Sequence, residues 1–328
     1  MQYIDIHSHV APCVDFEEII ESIDANGVSH IGIMPRGGGK EAQVMEFYER
    51  YPNRVIPFYG GSAIQTLLCQ GSNVSMNKEE IIFFQGYRKD WWKENLEKSL
   101  EQIERDLKGG PFRGIGELRL RHYGNGPEVP EKAHDYNFPA DSPFMFRLVD
   151  LAARLRLPVA IHMEAESKGE YIEFLGRVAD EDAVPALERL LDHNKDALII
   201  WCHLGRANPE VVKGMLDRHP NLYVDISDVY PRGNNARGGS PESLAIFREY
   251  TLKNSVIDEN GCLGEDWKRL FMSYPDRIMI SCDAMSSKCY GKMYTALMNE
   301  LKNILSQLTP DVAAKIASQN AKKIFRID

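Results

Sequence analysis

The sequence predicts an α/β fold: a single (β/α)8 TIM barrel over residues 1–328, with long loops after its third and seventh strands. Three observations carry that expectation. Short apolar runs alternate with amphipathic helical stretches from end to end, the order that gives a parallel sheet with helices outside it. There are eight such runs, enough to close a barrel. The 328 residues accommodate the about 250 of a typical barrel plus insertions. An open doubly wound sheet usually carries a Gly-rich phosphate loop after its first strand; here that position holds His7-Ser8-His9.

The expected strands are Tyr3–His7, His30–Met34, Val55–Tyr59, Arg113–Leu118, Val159–Met163, Leu198–His203, Leu222–Ile226 and Ile278–Cys282. A helix is expected over Phe16–Ala25, where Asp15 can cap its first turn. Trp91–Leu107 carries Leu96, Leu100, Ile103 and Leu107 at helical spacing and ends at Gly109-Gly110. Ser142–Leu155 opens with a Ser cap followed by Pro143. Pro209–Arg218, Tyr294–Gln307 and Asp311–Phe325 complete the helices. The segments from Gly60 to Asp90 and from Asp228 to about Asp266 are too long for simple connections. Both leave the C-terminal ends of strands, so both should rise over the face where barrel enzymes place their chemistry.

Composition excludes several classes. The formal charge of −9 gives no general attraction to nucleic acid or anionic membrane. No apolar run approaches the ~20 residues of a membrane span. The first strand starts at residue 3, so the expectation is a cytoplasmic chain without a signal peptide, unless a leader has been removed. Cys13, Cys69, Cys202, Cys262, Cys282 and Cys289 form no C-x-x-C pair and are expected to be reduced thiols. The oligomeric state, a homo-oligomer included, is left open.

The chemistry lies at the strand ends. His7 and His9 share one face of a strand because side chains alternate, which lets both imidazoles reach one metal ion. Strand four ends Gly114-Ile115-Gly116-Glu117, strand five Ala160-Ile161-His162, strand six Trp201-Cys202-His203 and strand eight Ser281-Cys282-Asp283. A barrel brings these distant segments to one rim. Imidazole nitrogen and carboxylate oxygen are natural ligands of zinc, so the expected cofactor is a divalent metal, zinc first, with manganese or iron as alternatives.

This pattern resembles the amidohydrolase superfamily of metal-dependent hydrolases, and within it the amidohydrolase-related branch of hydrolases, lactonases and decarboxylases. The resemblance runs from His7 to the tail Ser318-Gln319-Asn320-Ala321-Lys322-Lys323-Ile324-Phe325, similar to the N-A-x-x-x-F helix that often closes such barrels. It implies that His7, His9 and Asp283 hold the more buried metal. His162 and His203 would hold a second; alternatively His162 would ligate a single metal and His203 polarise the substrate. Asp283 would also take a proton from the activated water. Ile115-Gly116-Glu117 is similar instead to the strand of TatD-like deoxyribonucleases in which a glutamate reaches the metals.

The expected function is hydrolysis of a small, anionic amide, ester or lactone by a metal-activated water. The alternatives are non-oxidative decarboxylation on the same fold and TatD-like phosphodiester cleavage. Arg36 follows strand two, Arg119 and Arg121 strand four and Arg206 strand six, with Arg232 and Arg237 in the seventh loop; at least one of Arg36, Arg119 and Arg206 is expected to bind a substrate carboxylate or phosphate. Asp225 and Asp228 are expected to make structural hydrogen bonds to a loop. Glu164 shares a face with His162 and either approaches the site or belongs to a surface loop. His30, His122, His134, His193 and His219 are expected to be solvated or capping, and Gly37-Gly38-Gly39 and Gly238-Gly239 to be loops.

Overall fold

In the computed structural model, the described residues are 1–10, 15–36, 41–76, 82–122, 134–172, 177–179, 182–227, 255–258, 260–285 and 289–327. Eight parallel strands form a nearly closed barrel in sequence order. They are β1 (Tyr3–Val10), β2 (Val28–Pro35), β3 (Val55–Gly60), β4 (Gly114–His122), β5 (Val159–Met163), β6 (Ile199–Trp201), β7 (Leu222–Ile226) and β8 (Ile278–Ile280). The seam between β8 and β1 is held by backbone bonds from the chain just past β8: Asp283 N–H to His7 O at 2.7 Å and His9 N–H to Ala284 O at 2.8 Å.

A bulge in β1 decides what faces inward. Asp5 pairs with Ile31 but Ser8 with Ile33, so β1 spends three residues where β2 spends two. The extra residue resets the alternation of side chains. Ile4 and Ile6 therefore point into the barrel below the bulge, and His7 and His9 above it. Gly32 of β2 lies opposite: a Cβ there would sit 2.2 Å from the Ile6 carbonyl oxygen. Strand β4 has a second irregularity between Ile115 and Leu118, the stretch that carries Glu117.

The barrel interior is apolar below and polar above. Ile4, Ile6, Met34, Ile56, Phe58, Ala160, Ile200 and Met279 fill the lower layers. Phe325 closes the bottom, its ring 5.4 Å from that of Phe58 in an edge-on contact. Burying such a ring is worth about 1.5–3 kcal/mol. A larger apolar layer lies between strands and outer helices, built from residues such as Ile19, Phe47, Leu148, Leu187, Met215 and Leu301.

The expected helices over Phe16–Ala25 and Pro209–Arg218 have those bounds, and Asp15 accepts from Glu17 N–H at the first. Ser142 accepts from Met145 N–H, capping Pro143–Leu155. Helices at Glu41–Arg50, Val184–His193 and Glu265–Ser273 were not expected. The segment after β3 is folded: helix Ala63–Gln70, then a hairpin of Asn73–Met76 with Ile82–Gln85, which pairs onward with His134–Asn137. Most of the segment after β7 lies outside the described residues, with Asp228, Arg232, Arg237 and Gly238-Gly239; so do Cys13 and Gly37-Gly38-Gly39. The five described cysteines are free thiols. Among the described residues, no helix is long and apolar enough to cross a membrane.

Candidate metal centre

Six of the sequence-expected residues meet at the C-terminal mouth of the barrel: His7, His9, Glu117, His162, His203 and Asp283, all buried. Glu117 stands between the histidines. Its Oε1 lies 2.9 Å from His162 Nδ1, 3.2 Å from His203 Nε2 and 3.8 Å from His7 Nε2; its Oε2 lies 3.6 Å from His9 Nε2. Asp283 Oδ1 lies 3.2 Å from His9 Nε2 and 3.8 Å from His7 Nε2. Glu117 belongs to two donor groups that could hold an ion, one with His7 and His9 and one with His162 and His203.

Two of these residues are not on strands. β6 ends at Trp201, and His203, Leu204 and Gly205 follow with φ of 57°, 53° and 63°. Asp283 follows β8 with φ 46°. Left-handed backbone at non-glycine residues costs about 1–2 kcal/mol each and persists where the surroundings hold it. Here it turns both side chains back over the mouth.

The outward nitrogen of each imidazole has an acceptor. His7 Nδ1 donates to Asp225 Oδ2 at 3.2 Å and His9 Nδ1 to the Met34 carbonyl at 3.2 Å. His162 Nε2 donates to Glu164 Oε1 at 3.3 Å. His203 Nδ1 donates to Ser227 Oγ at 2.5 Å, whose hydroxyl donates to Asp225 Oδ1 at 2.6 Å. Asp225 thus anchors two histidines and also accepts from His203 N–H at 2.8 Å. With the outer nitrogens protonated, four inward lone pairs face carboxylate oxygens. Those contacts repel unless positive charge lies among them, so the donor set fits a divalent cation.

The surroundings of these groups favour positive charge as well. Burial would lower the pKa of His7, but the Cys202 sulfur, Glu117 and Asp225 hold it well above its ordinary value. Burial would raise Glu117, but the charge of His7 and its contacts with His162 and His203 hold it well below the usual carboxylate range. Asp283 is likewise held low against burial by its bond to His9 and the charges of His7 and His203.

Asp225 makes the expected hydrogen bonds to loop residues, accepting from His203 N–H and Ser227 Oγ, and beyond expectation it is fully buried beneath the histidines and bonded to His7. Glu164 is buried, not on a surface loop. His122 is also corrected: its ring centroid lies 4.7 Å from that of His162, and burial together with the charges of His162, Arg119 and Arg206 pushes its pKa well down. His219 caps the C-terminus of the helix Pro209–Arg218, one of the two roles expected for it, with its ring buried between Glu188 and Asp192. The three arginines differ. Arg206 Nη1 donates to Glu164 Oε1 at 2.6 Å, Arg36 reaches the Met285 sulfur, and Arg119 lies over the Tyr136 ring at 4.8 Å.

Comparison with solved structures returns the same fold at low identity. A 2,6-dihydroxybenzoate decarboxylase from Rhizobium aligns over 100% of both chains with a TM-score of 0.54 and 11% identity. A dihydroxybenzoic acid decarboxylase from Polaromonas sp. JS666, with bound manganese and the inhibitor 2-nitroresorcinol, covers 99% of this chain and 97% of its own at TM-score 0.51 and 12% identity. An amidohydrolase from Burkholderia multivorans with bound zinc covers 100% of both at TM-score 0.52 and 11% identity. No curated protein matches the chain in sequence. The Amidohydrolase family pattern matches residues 4–327, and on that match the chain belongs to the amidohydrolase family.

Proposed function

We propose that the protein is a metal-dependent hydrolase of a small anionic amide, ester or lactone. His7, His9, Glu117 and Asp283 would hold one divalent ion, and Glu117, His162 and His203 a second. The carrying observation is the placement of Glu117, within 4 Å of all four histidines, where one carboxylate serves both donor groups. Such ions supply Lewis acidity and lower the pKa of water from about 15.7 towards 7. The chain's own groups do the rest. Asp283, kept ionised against burial, offers an oxygen to the attacking water's proton and can return it to the leaving group. His203, held through Ser227 by Asp225, presents a fixed Nε2 to the centre. Of the three arginines, Arg119 is best placed for a substrate anion, since Arg206 is engaged by Glu164.

A second reading is non-oxidative decarboxylation of a small aromatic acid. Its support is the naming of the Rhizobium and Polaromonas neighbours as decarboxylases, and those names favour it over hydrolysis. The geometry of Glu117 supports the first reading.

The test incubates metal-loaded protein with lactones, N-acyl amino acids, phosphoesters and dihydroxybenzoates in 18O-labelled water. Label in the product of a lactone, ester or amide supports hydrolysis. Carbon dioxide release from an aromatic acid, with no hydrolysed substrate in the panel, replaces it with the second reading.

A further inference from the structure

Beside the metal centre lies a recess of about 430 Å³, within the size range of small-molecule sites. Its walls come from the folded segment after β3, from β4 and from the strand His134–Asn137. Two of its lining residues are arginines, Arg88 and Arg119, and none of the described ones is acidic. That is a local reversal in a chain of net charge −9. Among the described residues, neither guanidinium has a carboxylate partner: Arg88 donates to the Gln70 carbonyl at 3.1 Å, and Arg119 lies over the Tyr136 ring.

The recess is built, not incidental. Gln65 clamps the backbone of Arg119 in both directions, Oε1 accepting from its N–H at 2.9 Å and Nε2 donating to its carbonyl at 3.3 Å. Tyr136 supports the guanidinium from one side and stacks on Phe84, with ring centroids 5.6 Å apart and planes at 10°. The recess also abuts the centre. Its lining residue Gly61 packs so closely that a Cβ there would lie 3.1 Å from Glu117 N. Arg119 follows Glu117 by two residues on β4, roughly 6–7 Å along a strand.

We propose that this recess takes a second, anionic group of the substrate, a carboxylate or phosphate remote from the bond being processed, with Arg119 as its main partner and Arg88 as the outer one. The proposal rests on the reading of the mouth as the reaction centre. It names the substrate class: a small molecule with its reacting group at the metals and an anion a few bonds away. Guanidinium pairs bidentately with such anions, and a planar ligand can add stacking on Phe84 or Tyr136.

The test uses benzenesulfonate and methanesulfonate, anions that pair with guanidinium but ligate metals poorly, titrated by calorimetry into metal-loaded full-length protein. Saturable binding is expected, weakened at least fivefold in Arg119→Met, less in Arg88→Met, and partly restored in Arg119→Lys. Unfolding curves and metal content of each variant establish that fold and centre are intact. Absent binding in the wild type, or equal binding in all four proteins, overturns the proposal. A wild-type protein that holds no metal would instead defeat the proposed function, whatever the sulfonates do.

Discussion

Asp225 and His7 meet beneath the mouth of the barrel, both fully buried, with Asp225 Oδ2 3.2 Å from His7 Nδ1. The other carboxylate oxygen of Asp225 accepts from His203 N–H and Ser227 Oγ. One carboxylate thus sets the ring orientation of His7 and the backbone turn that presents His203.

Removing that charge while keeping the shape should loosen both histidines. Asp225→Asn is expected to weaken divalent-ion binding or turnover by about 10–100-fold, the usual cost of losing such a partner. Calorimetric metal titration of the variant checks it; an affinity within twofold of wild type would count against the anchoring role.

Glu166 gives a pH prediction of its own. Burial and the neighbouring charge of Glu164 push its pKa from 4.5 up to about 8. The folded state therefore keeps a proton that the unfolded chain releases near 4.5. In that window the native state binds more protons, so stability falls as pH rises from about 4.5 to about 8. Glu166→Gln should flatten that part of the Tm–pH profile and raise Tm at pH 8 relative to wild type. A variant whose profile runs parallel to wild type from pH 5 to 8 would contradict it.

Gly32 should tolerate no side chain. A Cβ would meet the Ile6 backbone at 2.2–3.0 Å, at the bulge that turns His7 inward. Gly32→Ala is expected to destabilise by about 1–3 kcal/mol and to lower metal affinity, because relief of the clash displaces β1. Denaturant unfolding and metal titration together read this out. A stable variant with full metal affinity would sink the argument about the bulge.

Metal loading should stabilise the fold. At free ion near 100 times its Kd, the gain is about 2.7 kcal/mol, which in a chain of this size raises Tm by a few degrees. Scanning calorimetry before and after chelation measures it, and identical Tm values would argue against a native-state metal site.

The barrel was legible because its signal is repeated: eight apolar runs in series leave few alternatives, and β5 and β7 have the expected ends. His7 and His9 were legible from parity alone, since both lie above the bulge. The positions of His203 and Asp283 were less so. Their left-handed turns carry no pattern in residue type, and apolar context made the strands look longer than they are. Asp225 and Glu164 were underrated for another reason. A single carboxylate at a strand end gains its meaning from the imidazole opposite it, and that pairing exists only in the folded barrel. His122 was missed because β4 runs four residues beyond the expected Leu118, which carries it to the ring of His162. The helix Glu41–Arg50 buries only Val44 and Phe47, too few apolar positions to mark a period.

The most direct test of the account is a divalent-metal titration of the dialysed protein, zinc and manganese in turn, beside Glu117→Gln. The shared carboxylate predicts two ions per chain in the wild type and one or fewer in the variant. Absence of saturable binding in the wild type, or an unchanged stoichiometry and affinity in Glu117→Gln, would contradict it.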